Sequence, residues 1–274
     1  MSEIERFKEE ILKDYPRMTK DSEFTFACHP GVPCFNDCCA DINIFLTPYD
    51  IIRLKNHLGI SSEEFLKKYT IMPFDKNLSY PVVMLLMSDN DKKTCQLLGD
   101  KGCTVYENRP WACRMYPLGL ASPKEDDQGN EDFYFLVKDK ICRGHNQGKK
   151  WTVREWIDDQ GIAEYDEMGR EFKDLTMNSF FQDQSKIDSQ KIDMFFMVCY
   201  NLDKFRQFVF GSSFLKKFDI DEATMTKMKD DDVALLRFGF RWLRFALFGE
   251  DTMKIKEVIA EDKLKELKMK GKIR

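Results

Sequence analysis

No stretch of this 274-residue chain approaches the roughly 18 consecutive apolar residues of a membrane-spanning helix. An excess of positive charge is missing too. The formal net charge is −4, so the composition shows no electrostatic footprint for nucleic acid. The opening segment, MSEIERFKEEILKDYP, is charged throughout and lacks the apolar core of a secretory signal. These absences predict a cytoplasmic protein with no membrane and no nucleic-acid partner. No glycine-rich strand–turn–helix announces a bound nucleotide or S-adenosylmethionine, and Gly211-Ser-Ser213 is too short to count. The CxxxCxxC spacing of radical enzymes is absent, as are internal repeats and low-complexity stretches. With 43% hydrophobic and 33% charged residues the chain reads as globular rather than disordered.

Cysteine is what the chain has in unusual measure. Of nine cysteines, eight lie between Cys28 and Cys142, and only Cys199 lies beyond. Disulfides do not persist in a reducing compartment, and cysteines used as small core hydrophobes would be scattered. These are grouped: Cys28, Cys34 and the adjacent pair Cys38-Cys39, then Cys95, Cys103 and Cys113, then Cys142. Thiolates are soft ligands, and a tetrahedral set of four suits zinc or an iron–sulfur cluster. Eight thiolates supply two such sets, or one set with the rest in supporting positions. The absence of a CxxC pair and the long, varied loops favour an iron–sulfur cluster, 4Fe-4S foremost, with zinc as the alternative. In an extended segment Cys38 and Cys39 would point to opposite faces and serve different partners. In a turn, both could reach different irons of one cluster.

The local pattern predicts a mainly α (α+β) fold: a cysteine-rich metal-binding half with short strands over residues 1–150, and an all-helical half over 151–274. A polar helix is expected before Pro16, followed by an irregular cysteine-bearing loop over 24–45. Thr47-Pro48 reads as an N-cap with proline at the first helical position, opening a helix that stops at Gly59. Ser61 and Glu64, and likewise Thr152 and Glu155, read as capping boxes. Strands are expected over 80–87, 94–98 and 133–138, with 122–130 as a flexible insertion. Residues 190–210 and 231–248 carry apolar side chains at i+3 and i+4 steps, and a last helix is expected over 252–272. The Phe- and Met-rich helices read as core rather than as a ligand box.

Several residues near the cysteines are candidates for supporting roles. Arg109 and Arg114 flank Cys113, where permanent positive charge would offset an anionic cluster, or where they form ordinary surface ion pairs. His29 and His145 sit beside cysteines and read chiefly as packing or surface residues, with ligation as the alternative. His57 reads as a helix-surface residue, and Asp37 and Asp41 as turn residues.

Cys34, Cys38 and Cys39, the Leu46-Thr47-Pro48-Tyr49-Asp50 helix start, and the string from Gly102-Cys103 through Arg109-Pro110, Cys113-Arg114 and Tyr116-Pro117 together resemble the YkgJ-type cysteine-cluster family. The resemblance spans roughly residues 24–160 and implies a zinc- or iron-chelating CxxCxxCC-like domain. The gaps before Cys34 and Cys38 are longer than in the short signature, which leaves Cys28 the least secured ligand. The domain is also similar to the cysteine-rich part of flagellin lysine N-methylases, implying iron–sulfur-dependent protein-lysine methylation. Three functions therefore remain open: a redox or cofactor-handling metal module, such a methyltransferase, and a structural zinc domain. An unidentified protein partner or substrate is compatible with each.

Overall fold

The computed structural model describes residues 15–73, 80–121, 132–182 and 187–257. The fold is mixed α+β and mostly helical, with short antiparallel strands, as the pattern predicts. Packing divides the chain into two compact units, Met1–Phe45 with Leu85–Glu167, and Leu46–Met84 with Met168–Arg274. The helix expected before Pro16 and the insertion at 122–130 lie almost wholly outside the described residues.

The first unit is built on two hairpin-like pairings around one apolar cluster. Strand Glu23–Phe26 pairs antiparallel with Lys149–Thr152, placing Phe24 opposite Trp151. Strand Leu118–Ala121 pairs with Phe133–Leu136. Phe24, Phe26, Met115, Leu118, Val153 and Trp156 form the buried cluster, and Cys142 and Tyr116 pack on its flank. The helix Val153–Asp159 starts at the expected capping box, with Thr152 Oγ1 accepting from Glu155 N–H at 3.1 Å. Strands over 94–98 are reduced to a Met87–Cys95 bridge, and the hairpin falls instead at Leu98–Gly99 and Gly102–Cys103.

The second unit is helical. Pro48–Leu58 opens with the full capping box of Thr47 and Asp50 and ends at Gly59, whose φ of 65° suits glycine. At Ser61 only the forward half of the box is present, the hydroxyl accepting from Glu64 N–H. The run expected over 190–210 is two helices, Ser189–Cys199 and Leu202–Gly211. Asn201 breaks it, because its side chain competes for the backbone N–H of Lys204. Asp232–Leu243 follows, passing into a π-helical turn at Arg244–Phe248. Phe195, Cys199, Leu202, Phe205, Val209, Leu235 and Leu236 are buried, so the aromatic-rich helices are core. Most of the last helix expected over 252–272 lies outside the described residues; the described 252–256 are not helical, and Lys254 O and Lys256 N–H bond to Asp219 N–H and Lys217 O. Among the described residues no helix is long and apolar enough to cross a membrane.

Candidate metal centre

All eight grouped cysteines fall in the first unit, and Cys199 is fully buried in a helix of the second. Cys28 lies just beyond strand Glu23–Phe26. From there the chain winds through tight turns, with Val32 N–H donating to His29 O, Phe35 N–H to Val32 O and Asp37 N–H to Cys34 O. Asn36 takes φ 71°, a left-handed conformation that asparagine tolerates, and leads into a 3₁₀ turn at Asp37–Cys39. Cys38 and Cys39 are therefore in a turned segment, not an extended one. Asp41 also has positive φ and pairs with Lys93 at 3.2 Å, consistent with a turn role.

Cys28, Cys34, Cys38 and Cys142 line one cavity of about 10 Å³, closed on its apolar side by Phe26, Val32, Phe35 and Ile141. Cys142 reaches it because its segment folds back on strand Glu23–Phe26, with Ala27 N–H donating to Gly144 O at 3.1 Å. Glycine is required at 144: a Cβ there would collide with the Ala27 carbonyl oxygen. Arg143 N–H donates to Cys34 Sγ at 2.9 Å, and the buried Tyr116 hydroxyl, without a nitrogen or oxygen partner, lies beside the Cys142 thiol. These contributions from Tyr116, Arg143 and Gly144 are not visible in the cysteine spacing, although all three sit within or beside the cysteine-bearing strings.

The other four cysteines line no shared cavity among the described residues. Cys39 lies within electrostatic reach of Cys95 and Cys113, and Cys95 within reach of Cys103. Cys39 O accepts from Cys95 N–H at 2.7 Å, and Cys103 pairs with Leu98 in the hairpin.

Burial, with Cys38, Cys34 and Cys142 alongside, pushes the Cys28 thiol up to about 11. Cys38 and Cys39 share a hydrogen bond that lowers the first and holds the second well above the usual thiol range. Burial raises Cys95 and Cys103 as well. Among the described residues no three His, Cys, Asp or Glu side chains stand close enough to hold a metal ion as they are. The thiols border their spaces rather than converge. Like charges brought together oppose one another, and only a cation would offset that repulsion.

Neither arginine is a surface ion pair. Arg114 is buried and donates to three carbonyl oxygens, those of Arg109, Gln160 and Glu107, so it braces the loop that carries Cys113. Arg109 is equally buried, stacks 3.8 Å from the Tyr106 ring centroid, and bonds to Tyr106 O and the Gln160 side chain. Tyr106, Cys28, Cys103 and Cys113 are the groups within its electrostatic reach that can become anionic. His29 is exposed, and its Nδ1 accepts from Gly31 N–H at 3.1 Å. His145 packs against Phe26 and Tyr116, and burial holds its imidazole below the ordinary range.

Residues 27–143 match a family model described as "CxxCxxCC: Putative zinc- or iron-chelating domain". This segment resembles that family. The matched span begins beside Cys28 and ends beside Cys142, so the CxxCxxCC domain encloses all eight grouped cysteines. The match supports metal binding and leaves zinc and iron both in play. No curated protein and no solved structure matches the chain.

The donor chemistry fits the implied metal. Four soft thiols of the CxxCxxCC domain surround one cavity whose volume is about that of a single water-sized body.

Proposed function

We propose that the CxxCxxCC domain binds iron through Cys28, Cys34, Cys38 and Cys142, as an iron–sulfur centre used in redox or cofactor-handling chemistry. The observation that carries this reading is the shared cavity bordered by these four thiols, drawn from opposite ends of the domain. Thiolates of this number suit iron–sulfur ligation. Bound iron would supply one-electron chemistry. The chain's own part is to dampen negative charge on sulfur: Arg143 N–H donates to Cys34, the Tyr116 hydroxyl lies beside Cys142, and Arg109 lies within electrostatic reach of Cys28. Such contacts favour the more reduced, more negative state of a thiolate-bound metal.

Zinc is the second reading, favoured by one observation: the cavity, at about 10 Å³, is sized for one ion rather than for a cluster. A single tetrahedral ion would leave the surrounding turns as they are, whereas a cluster requires them to spread.

Anaerobic purification followed by metal and acid-labile sulfide analysis separates the two. The iron–sulfur reading expects a brown protein that carries iron and sulfide and bleaches on reduction. A colourless protein with stoichiometric zinc overturns it in favour of the second. Cys142→Ala should lose metal from this site, and Cys199→Ala, in the other unit, should lose none.

A further inference from the structure

The helical unit holds a cavity of about 350 Å³ that involves none of the cysteines. Helix Glu222–Asp230 ends at Asp231, whose side chain caps Asp232–Leu243 by accepting from Val233 N–H and Ala234 N–H. Both of these helices line the cavity, together with Glu171 of the helix Ala163–Thr176. Its volume falls within the roughly 300–1,000 Å³ of small-molecule sites. We propose that this cavity binds a small phosphate monoester, with Lys227, Arg237 and Arg241 holding the phosphate and Met228 and Phe238 packing against the organic body.

The balance of charge is the first support. The lining carries three cations and one carboxylate, Glu171, which pairs with Arg237 at 3.0 Å. Among the described residues neither Lys227 nor Arg241 forms an ion pair. The Arg241 guanidinium sits 5.5 Å from the Phe238 ring centroid, a contact that does not neutralise its charge. Asp221 lies within its electrostatic reach, but that carboxylate is engaged by Thr224 N–H at 2.8 Å and the Thr224 hydroxyl at 2.7 Å. A phosphate monoester carries about −1.5 to −2 near neutral pH, which matches the excess of two positive charges in the lining.

The placement of the cations is the second. Arg237 and Arg241 stand four residues apart on one face of their helix, a spacing at which like charges repel and cost helix stability. An anion held between them removes that cost. Their planar forks suit the geometry of phosphate oxygens, and Lys227 adds a third donor from the other helix.

The apolar side of the cavity is the third. Met228 and Phe238 are 0% and 2% exposed, whereas the three cations are exposed. Charge is therefore confined to the rim, over a greasy floor. A water molecule takes up about 30 Å³, so a bare phosphate fills a minor part of this space and an ester fills more of it.

The test is calorimetric titration of the full-length chain at low ionic strength, where screening of exposed charges is weakest. The probes are phenyl phosphate, inorganic phosphate and phenol. Phenyl phosphate should bind saturably at one equivalent, about tenfold more tightly than inorganic phosphate, and phenol should not bind. Lys227→Gln and Arg241→Gln should each weaken it by roughly tenfold. Glu171→Gln should tighten it several-fold, because the phosphate no longer competes with a carboxylate for Arg237; damage to the fold would act in the opposite direction. Absence of saturable binding to the wild-type chain overturns the site, and that result needs no variant. Binding left unchanged by both Lys227→Gln and Arg241→Gln overturns it as well. Equal affinity for phenyl phosphate and inorganic phosphate overturns the ester in favour of a free anion. A folded Glu171→Gln chain that binds more weakly overturns the balance of charge on which the assignment rests.

Discussion

The backbone N–H of Arg143 donates to the sulfur of Cys34 at 2.9 Å, although 109 residues separate them. This bond ties the two ends of the CxxCxxCC domain together at the cavity rim. A thiolate accepts such a bond more strongly than a thiol does, and a bound metal fixes the thiolate form. Metal loading should therefore slow hydrogen exchange at the Arg143 amide by about tenfold, or about 1.4 kcal/mol of local protection. Mass-spectrometric exchange of loaded and chelator-stripped protein measures it. Equal exchange in the two forms would show that the Cys34 sulfur is not a ligand.

Gly144 sets how closely the Cys142 segment approaches Cys28. A methyl group at 144 would meet the Ala27 carbonyl oxygen, which is backbone and has no side-chain freedom to give way. Gly144→Ala should separate the two segments and weaken metal binding by roughly tenfold, with a smaller effect on the melting temperature. Competition against a chromophoric chelator reads the affinity. Unchanged affinity would mean that the approach of these segments does not shape the site.

The two arginines beside Cys113 should separate cleanly by experiment. Arg114→Ala strands three carbonyl acceptors, at about 1–3 kcal/mol for each that stays dry. Some will rehydrate, so a total loss near 3 kcal/mol is expected by denaturant titration. Lysine should not rescue it, since one ammonium cannot span the carbonyls of Glu107, Arg109 and Gln160. Arg109→Gln keeps an amide donor for its oxygen partners but removes the charge. It should lower metal affinity more than stability; the reverse order would refute its role as counter-cation.

How much of this was legible in the residues depends on how local each feature is. The Thr47–Asp50 and Thr152–Glu155 caps were readable because both partners lie within one turn. The apolar spacing in 190–210 correctly named core positions but missed the break at Asn201, since the period continues past a cap. The eight cysteines announced a metal domain by grouping alone. Which of them share the cavity did not show, because that depends on how distant segments such as those of Cys34 and Cys142 fold together, which no spacing encodes. Arg109 and Arg114 were noticed for their charge, yet their different roles follow from burial and from which oxygens they reach.

The helical unit carries its own electrostatic test, away from the cysteines. Lys55 Nζ lies 2.7 Å from Asp232, and Arg206 lies 2.5 Å from the same carboxylate. Burial alone would raise the Asp232 carboxyl, but the bonds from Arg206 and Lys55 outweigh it and hold it below the ordinary carboxylate range. The unfolded group titrates near the usual value of about 3.9. A folded value depressed below that contributes stability in full above about pH 4, and the contribution is lost as pH falls through the folded value. Asp232→Asn leaves the Lys55 ammonium buried without its counter-charge and should cost about 3–5 kcal/mol at neutral pH. The gap between wild type and variant should then narrow steadily below about pH 4. Urea titrations of the two metal-free chains across that window measure it, with cysteine ligation excluded from the comparison. A gap that stays constant down to strong acid would mean that Asp232 is not held ionised by Lys55 and Arg206.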